Sequence, residues 1–84
     1  MFYMYVLFSP SKNNFYVGSS ADLRKRFKSH IDGKNFSTRS VKDWQLTYYE
    51  AFTSRKLAFR REQSLKKRAQ AWRTLISRII EPKE

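Results

Sequence analysis

The chain has 84 residues, and 18 lysines and arginines against seven acidic residues give it a formal net charge of +11. Its length predicts one small domain over residues 1–84, and its hydrophobic content of 40% predicts a packed core. It has no cysteine and one histidine, which excludes disulfides, thiolate metal sites and a multi-histidine zinc site within one chain. We expect a soluble cytoplasmic protein, because no apolar run approaches the roughly 20 residues that span a bilayer and the start lacks a basic signal region.

The positive charge predicts the class of partner. On so small a domain it produces a strong field that attracts polyanions, and such binding weakens steeply with salt. Nucleic acid is the first candidate. An anionic membrane surface is a weaker one, because the basic residues flank strands and short helices instead of forming one long amphipathic helix. A merely soluble basic protein is the remaining interpretation.

The first 19 residues predict a β-hairpin. Residues 3–8 are apolar on both faces, which is typical of a strand covered on both sides. Residues 9–14 have the composition of a turn, and residues 15–17 form the returning strand. For any register in which paired residue numbers sum to an odd value, Tyr5 and Tyr16 point to the same face.

A short helix is predicted to follow the hairpin, from about residue 21 to residue 31. Ser20 can cap its first turn, and the pair Asp32-Gly33 marks its end. Two neighbouring stripes run along this helix at a spacing of four residues: Asp22, Arg26 and His30 form a polar stripe, and Leu23 and Phe27 form an apolar one.

The second half predicts a loop, a strand and a helical region. Residues 34–43 are polar and show no period, so they are read as a loop with room for one helical turn. Residues 44–52 are rich in β-formers and predict the third strand. Thr53 or Ser54 then caps a helix that continues to about Lys67. Apolar residues repeat at helical spacing over 72–80, with Pro82 just beyond, but this period leaves open whether 54–80 is one helix or two.

One carboxylate stands out in this helical region. Between residues 54 and 80 there are nine basic residues and a single acid, Glu62, which lies on the helical face that carries Ala58 and Leu65. Burying an unpaired carboxylate costs several kcal/mol, so Glu62 needs a partner. An ion pair with Lys66 fits the spacing, whereas a metal ion or a buried Arg26 better explains the apolar neighbours.

Other basic residues are candidates for phosphate contacts without sequence readout. Those on the first helix lie away from its apolar stripe, and the 34–43 loop carries further polar and basic side chains. A solvated surface and a plain connector are the alternatives. The residues concerned are Arg24, Lys25, Lys28, Lys34 and Arg39.

In motif order and spacing, the sequence resembles the GIY-YIG nuclease superfamily. It looks most like small stand-alone members, which are similar to the N-terminal nuclease domain of the excision-repair endonuclease. The resemblance runs from Tyr3 to Ile76. The first motif departs from the family in reading Met-Tyr-Val, and His30 is followed by Ile31 where asparagine is common. The matching residues are Tyr5, Tyr16-Val17-Gly18, Asp22 to Arg26 with His30, and Glu62.

This resemblance implies an α+β fold, with a three-stranded antiparallel sheet flanked by helices in ββαβαα order. It also implies a DNA endonuclease that hydrolyses phosphodiester bonds with one divalent ion, Mg²⁺ or Mn²⁺, in a setting of structure-specific cleavage, repair or recombination. Glu62 resembles the metal ligand and Arg26 the arginine that binds the scissile phosphate. Tyr5 and Tyr16 resemble the motif tyrosines, one of them the general base, and Gly18 allows close backbone approach beside them, as a residue that contacts the nucleic acid.

Elementary chemistry agrees with these roles. A guanidinium and a metal ion both stabilise the negative charge that grows on phosphate oxygens. A phenol is a poor base at its ordinary pKa near 10, so we expect nearby cations to lower it. His30 can assist proton transfer or hold a phosphate. We expect Glu62 to face Arg26 across one cleft. The alternative function is a nucleic-acid-binding module with little or no nuclease activity.

Overall fold

The computed structural model describes residues 1–80. Its elements confirm the predicted α+β fold and the ββαβαα order. Pro82, named above as lying beyond the last helix, is outside the described residues. The elements are β1 (Phe2–Ser9), β2 (Asn14–Ser20), α1 (Leu23–Ile31), β3 (Gln45–Phe52), α2 (Arg55–Lys67) and α3 (Ala69–Ile79).

The three strands form one antiparallel sheet in the order β2-β1-β3, so the first strand of the chain is the central one. Tyr5 of β1 lies opposite Gly18 of β2 and Tyr49 of β3. This register satisfies the odd-sum condition, and Tyr5 and Tyr16 therefore share a face as predicted. The register of β1 with β3 shifts between Val6 and Leu7.

The two faces of the sheet carry separate cores, because alternate residues of each strand point to opposite sides. One core packs under α2 and α3 and includes Met4, Val6, Val17, Leu65 and Leu75. The other packs against α1 and the segment that follows it. Its members are Tyr5, Leu7, Val41 and Trp44, with Tyr16, Leu23 and Phe27 partly buried beside them.

The first helix is shorter at its start than the sequence predicted. Its N-cap is Asp22, whose carboxylate accepts from the Lys25 amide at 3.0 Å, and not Ser20. The Ser20 hydroxyl instead accepts from the Asp22 amide at 3.1 Å, before the first residue of the helix. The prediction chose the wrong one of two capping residues that lie two positions apart. The predicted end is confirmed, since Gly33 has φ +73° and its amide donates to the His30 carbonyl.

The helical region is two helices. Ser54 is the N-cap of α2 and accepts from the Leu57 amide at 3.2 Å. Arg68 adopts an extended conformation (φ −115°, ψ 103°) that ends α2 and begins α3. A bidentate pair from Arg61 to Glu50, at 2.9 and 3.2 Å, ties α2 to β3. These contacts fix the side of α2 that faces the sheet.

Candidate active site

The site is built around the hydroxyl of Tyr5, on the central strand. Tyr5 is fully buried, and its hydroxyl lies directly over Gly18 on the neighbouring strand. A Cβ added at Gly18 would stand 2.5 Å from the Tyr5 oxygen and 3.1 Å from the Tyr16 ring. Glycine is therefore required here by the tyrosine side chains that cover it. The ring centres of Tyr5 and Tyr16 are 6.4 Å apart.

His30, from the last turn of α1, bonds to the Tyr5 hydroxyl through Nε2 at 2.8 Å. Its Nδ1 lies 2.7 Å from the Thr38 hydroxyl in the segment after α1. Burial, together with the positive charge of Arg26, lowers the pKa of His30 to about 4, so the ring is neutral at pH 7. Because His30 is fully buried, it does not hold a phosphate directly, which corrects one of the two roles expected for it.

Arg26 lies one turn before His30 and is half-buried. Its Nε donates to the Tyr5 hydroxyl at 3.4 Å, and hydrogen bonding to Tyr5 is the main cause that raises the pKa of Arg26. Since the Tyr5 oxygen accepts from Arg26, the consistent assignment has the Tyr5 O–H donating to His30 Nε2 and His30 Nδ1–H donating to Thr38. Arg26 and His30, which were predicted to lie along one face of the helix, thus both hydrogen-bond to the Tyr5 hydroxyl.

The expectation that nearby cations lower the pKa of the motif phenols is wrong for Tyr5. Burial raises the pKa of Tyr5 to about 12, and this outweighs the opposing hydrogen bond from Arg26. The negative charge of Glu62 acts in the same direction as burial. Tyr5 therefore reaches the ionised form that a general base needs less readily than a free phenol does.

Glu62 is buried in the middle of α2, with 8% of the residue exposed, as its position among apolar residues indicated. Its Oε1 accepts from the Ser19 hydroxyl at 2.7 Å and its Oε2 from Lys66 Nζ at 2.6 Å. The intrahelical ion pair with Lys66 therefore forms. Within residues 1–80, Glu62 forms its ion pair with Lys66. The direct pair with a buried Arg26, one of the two partners that the sequence favoured, is not formed.

The two halves of the site meet at the free edge of β2. Ser19 and Gly18 are consecutive and point to opposite faces, so Glu62 is held on the α2 face while Tyr16 and Arg26 belong to the α1 face. Lys66 nevertheless reaches around this edge, with Nζ 5.7 Å from the centre of the Tyr16 ring. Glu62 and Arg26 thus belong to opposite faces of the sheet beside this edge strand, and the expectation that they face one another across one cleft is wrong.

The predicted phosphate-contact residues lie mainly on the surface. Lys28 forms an exposed ion pair with Asp32 at 2.9 Å, and the Arg39 guanidinium lies 4.3 Å from the centre of the Phe36 ring. Gly18 is buried under the two tyrosine rings, so its role in the structure is to leave room for the Tyr5 side chain. The residues of this group that lie at the surface are Arg24, Lys25, Lys28, Lys34 and Arg39.

Sequence reasoning missed three residues that hold the site. Thr38 is 1% exposed and anchors His30, although it stands in a polar segment without any period. Trp44 Nε1 donates to the Thr38 carbonyl at 3.2 Å and fixes this segment against the sheet. Ser19, which holds Glu62, could have been found from strand alternation, since it follows Gly18 and must point to the other face.

This fold and this grouping of residues define the class of protein. The family model described as the GIY-YIG catalytic domain matches residues 1–75, and the chain belongs to that family. The family is one of nuclease-type domains, and the predicted resemblance is confirmed.

The individual relatives are small proteins of a single kind. UPF0213 proteins of Streptococcus pyogenes serotypes M5 and M3 are each 42% identical over 67 residues, which is 79% of this chain and 72% of theirs. The solution NMR structure of the UPF0213 protein BH0048 from Bacillus halodurans is 31% identical, with a TM-score of 0.56. That likeness covers 92% of this chain and 84% of the other.

A divalent cation is implied by the family, and the donors around Glu62 fit one. A carboxylate and a hydroxyl are hard oxygen ligands of the kind that Mg²⁺ accepts, together with waters and substrate phosphates. The Glu62 charge is balanced by Lys66, whose side chain is 43% exposed and can therefore move away. Within residues 1–80 there is no group of three or more histidine, aspartate, glutamate or cysteine side chains that could form a larger cage. No helix of this part of the chain is long and apolar enough to cross a membrane.

Proposed function

We propose that this protein is a metal-dependent endonuclease that hydrolyses phosphodiester bonds in DNA, with structure-specific cleavage in repair or recombination as its setting. The observation that carries the proposal is the buried carboxylate of Glu62 at the same sheet edge as Tyr16 and Arg26. Nucleic-acid binding alone does not need a buried carboxylate among so many cations. Its net charge of +11 suits a polyanionic substrate.

Arg26 is the residue that we assign to the scissile phosphate. A guanidinium carries five N–H donors in a fixed plane, and one of them is engaged with Tyr5 at 3.4 Å. Its half-buried position gives the ion pair with a phosphate more energy than a fully solvated arginine would gain. Arg26 stabilises the charge that develops on the phosphate oxygens in the transition state.

Tyr16 is the tyrosine that we assign as the general base. A general base must lie within hydrogen-bond reach of the attacking water. Tyr5 is fully buried, its hydroxyl is engaged by His30 and Arg26, and its pKa is raised to about 12. Tyr16 is half-buried and lies beside the ammonium of Lys66. Tyr5 is then a positioning residue that holds Arg26, and His30 and Thr38 hold Tyr5 in turn.

Glu62 is the residue that we assign to the metal ion, with Ser19 orienting its carboxylate. When bound there, a divalent ion supplies Lewis-acid stabilisation to phosphate oxygens. Lys66 occupies Oε2 of Glu62 and must leave it to make room for a cation. The surface cations of α1 and the following segment are assigned to phosphates on either side of the cleaved bond: Arg24, Lys25, Lys28, Lys34 and Arg39.

The proposal is tested by incubating the protein with plasmid, branched and single-stranded DNA in Mg²⁺ or Mn²⁺ and then in EDTA. We expect metal-dependent cleavage, lowered at least about 100-fold by Glu62→Gln and by Arg26→Ala, because each removes a group that stabilises transition-state charge. Tyr16→Phe should lose more activity than Tyr5→Phe.

The matched control is Glu50→Gln, which neutralises the other part-buried carboxylate that an α2 cation binds. It should lower stability through the loss of the Arg61 pair and leave the cleavage rate of the folded protein unchanged. Binding of every substrate without cleavage of any by the wild-type protein would replace the nuclease with a nucleic-acid-binding module.

A further inference from the structure

Phe59 is an exposed aromatic residue one helical turn before Glu62. It lies on α2, where its neighbours Ala58 and Glu62 are buried, yet 51% of Phe59 itself faces solvent. Phe59, Glu62 and Lys66 follow at intervals of three and four residues and so lie along one side of the helix. An exposed apolar ring therefore lies beside the charged residues of the proposed site.

Two open grooves run along the surface on either side of Phe59. The first is lined by Ser19, Arg55, Lys56 and Phe59, and its Ser19 is the residue that holds the Glu62 carboxylate. This groove therefore connects Phe59 with the proposed metal ligand. The second groove continues along α2 in the other direction, where it is lined by Phe59, Arg60, Gln63, Ser64, Lys67 and Arg68.

Apart from Glu62, the charged residues around Phe59 are cations. Glu62 is the single acid between residues 54 and 80, and Lys66 and Ser19 already bond to it. Among the ion pairs found within residues 1–80, α2 contributes only Arg61 and Lys66 as cations. The grooves beside Phe59 thus present five cations outside those pairs: Arg55, Lys56, Arg60, Lys67 and Arg68.

We propose that Phe59 and these five cations, together called the α2 stacking surface, bind a nucleic-acid strand that carries an unpaired nucleotide next to the cleaved bond. The cations complement the phosphates, and the ring stacks on the unpaired base. A phenyl ring has no hydrogen-bonding group with which to read base edges, but any exposed base offers it a π-face. In an intact duplex those faces are covered by neighbouring bases. This inference rests on the proposed function, because it names the substrate feature that the same site accepts.

The test measures binding by fluorescence anisotropy in EDTA, so that it does not depend on cleavage. Two labelled DNAs of equal length are compared at one salt concentration: a continuous duplex and a duplex interrupted by a short unpaired tract. We expect Phe59→Ala to weaken binding of the interrupted duplex about tenfold, and of the continuous duplex less than about twofold. Leu57→Ala, at another exposed apolar position of α2, is the matched control and should change neither affinity.

Phe59→Trp supplies a direct readout that does not depend on the alanine variant. It should keep the affinity for the interrupted duplex, and its indole fluorescence should be quenched by that DNA more than by the continuous one. The inference is overturned if Phe59→Ala binds both DNAs as the wild type does, or loses affinity for both equally. If the wild type cleaves neither DNA but Phe59→Ala still weakens binding of the interrupted duplex selectively, the nuclease proposal fails and the stacking surface stands.

Discussion

Gly18 is the residue on which the geometry of the tyrosine pair depends most directly. In Gly18→Ala the new methyl carbon would lie 2.5 Å from the Tyr5 oxygen and 2.6 Å from its ring carbon Cζ. Tyr5 must move, and its bonds to His30 and Arg26 are lost with it. We expect this overpacking to cost about 1–3 kcal/mol in urea unfolding and to abolish cleavage by the remaining folded protein.

Gly33→Ala is the control for this substitution. Gly33 has φ +73°, where an added side chain is strained, but the nearest atom to its Cβ is the flexible end of Lys42 at 3.3 Å. We expect a stability loss of about 1–2 kcal/mol with no change in the cleavage rate of the folded fraction. Equal losses of cleavage in the two variants would show that stability, and not the position of the Tyr5 side chain, determines the activity.

His30 makes stability depend on pH in a defined window. Its pKa falls from an ordinary value of 6.5 to about 4 on folding, so the unfolded chain takes up the proton first as the pH drops. The contribution of neutral His30 to the free energy of unfolding is therefore fully present above pH 6.5 and is lost as the pH falls from there toward 4. For a group fully buried in the fold, the loss at about pH 4.5 is on the order of 2–3 kcal/mol.

Urea unfolding of the wild type and His30→Gln at pH 7 and at about pH 4.5 checks this prediction. Glutamine can still hydrogen-bond to Tyr5 and Thr38 but does not titrate, so the variant should lose less stability between the two pH values. The carboxyls of Asp32 and Asp43 are held below their ordinary pKa of 3.8 by hydrogen bonds from Lys28 and Ser9, and they act below this window. Identical pH dependence in both proteins would show that His30 is not the group responsible.

At the level of secondary structure, the N-cap of α2 controls the helix that carries Glu62. Two candidates adjoin in the sequence, and the structure gives the cap to Ser54, whose hydroxyl accepts from the Leu57 amide at 3.2 Å. We expect Ser54→Ala to reduce the free energy of unfolding by about 1 kcal/mol, because one amide of the first turn loses its partner. Thr53→Ala, beside it, should cost much less. The reverse order, measured by urea or thermal unfolding, would place the cap at Thr53.

The elements were predictable where the pattern was local. A continuous apolar run and turn composition predicted the hairpin, the alternation of side chains along a strand predicted the shared face of Tyr5 and Tyr16, and the apolar period predicted helix over residues 72–80. Neighbouring candidates of equal chemistry were not resolved, as Ser20 and Asp22 show, because both can cap a first turn. The division at Arg68 could not be located, because the helical period shows no interruption there.

The sequence predicted which residues belong to the candidate site but not how they are arranged. The motifs named Tyr5, Arg26, His30 and Glu62, but nothing in a linear pattern states which face of a sheet a distant helix covers. Glu62 was therefore expected opposite Arg26, whereas the structure joins it to Lys66 and Ser19. Thr38 was missed for the same reason, since its burial comes from packing against the other face and not from its own segment.

For the whole molecule, the charge of +11 predicts binding that depends strongly on salt. If Arg24 and Lys25 contact phosphates, Arg24→Gln and Lys25→Gln should each reduce the slope of log Kd against log salt by about 0.9 on duplex DNA. Lys12→Gln removes the same charge from the hairpin turn and should leave the slope unchanged. An equal reduction in all three variants would mean that the overall field, and not these contacts, sets the affinity.

The central place of β1 also bears on how the chain assembles. During synthesis β1 is made before both of its neighbours and can pair early with β2, whereas its other neighbour is β3, which is made only after α1 and the segment containing Thr38. Pairings between distant segments form slowly, because a long loop must close before they gain energy. Tyr5 is thus made before the residues that enclose it, and Glu62 follows on a helix later still. We therefore expect hydrogen exchange during refolding to protect the hairpin first, with the complete site forming at the end.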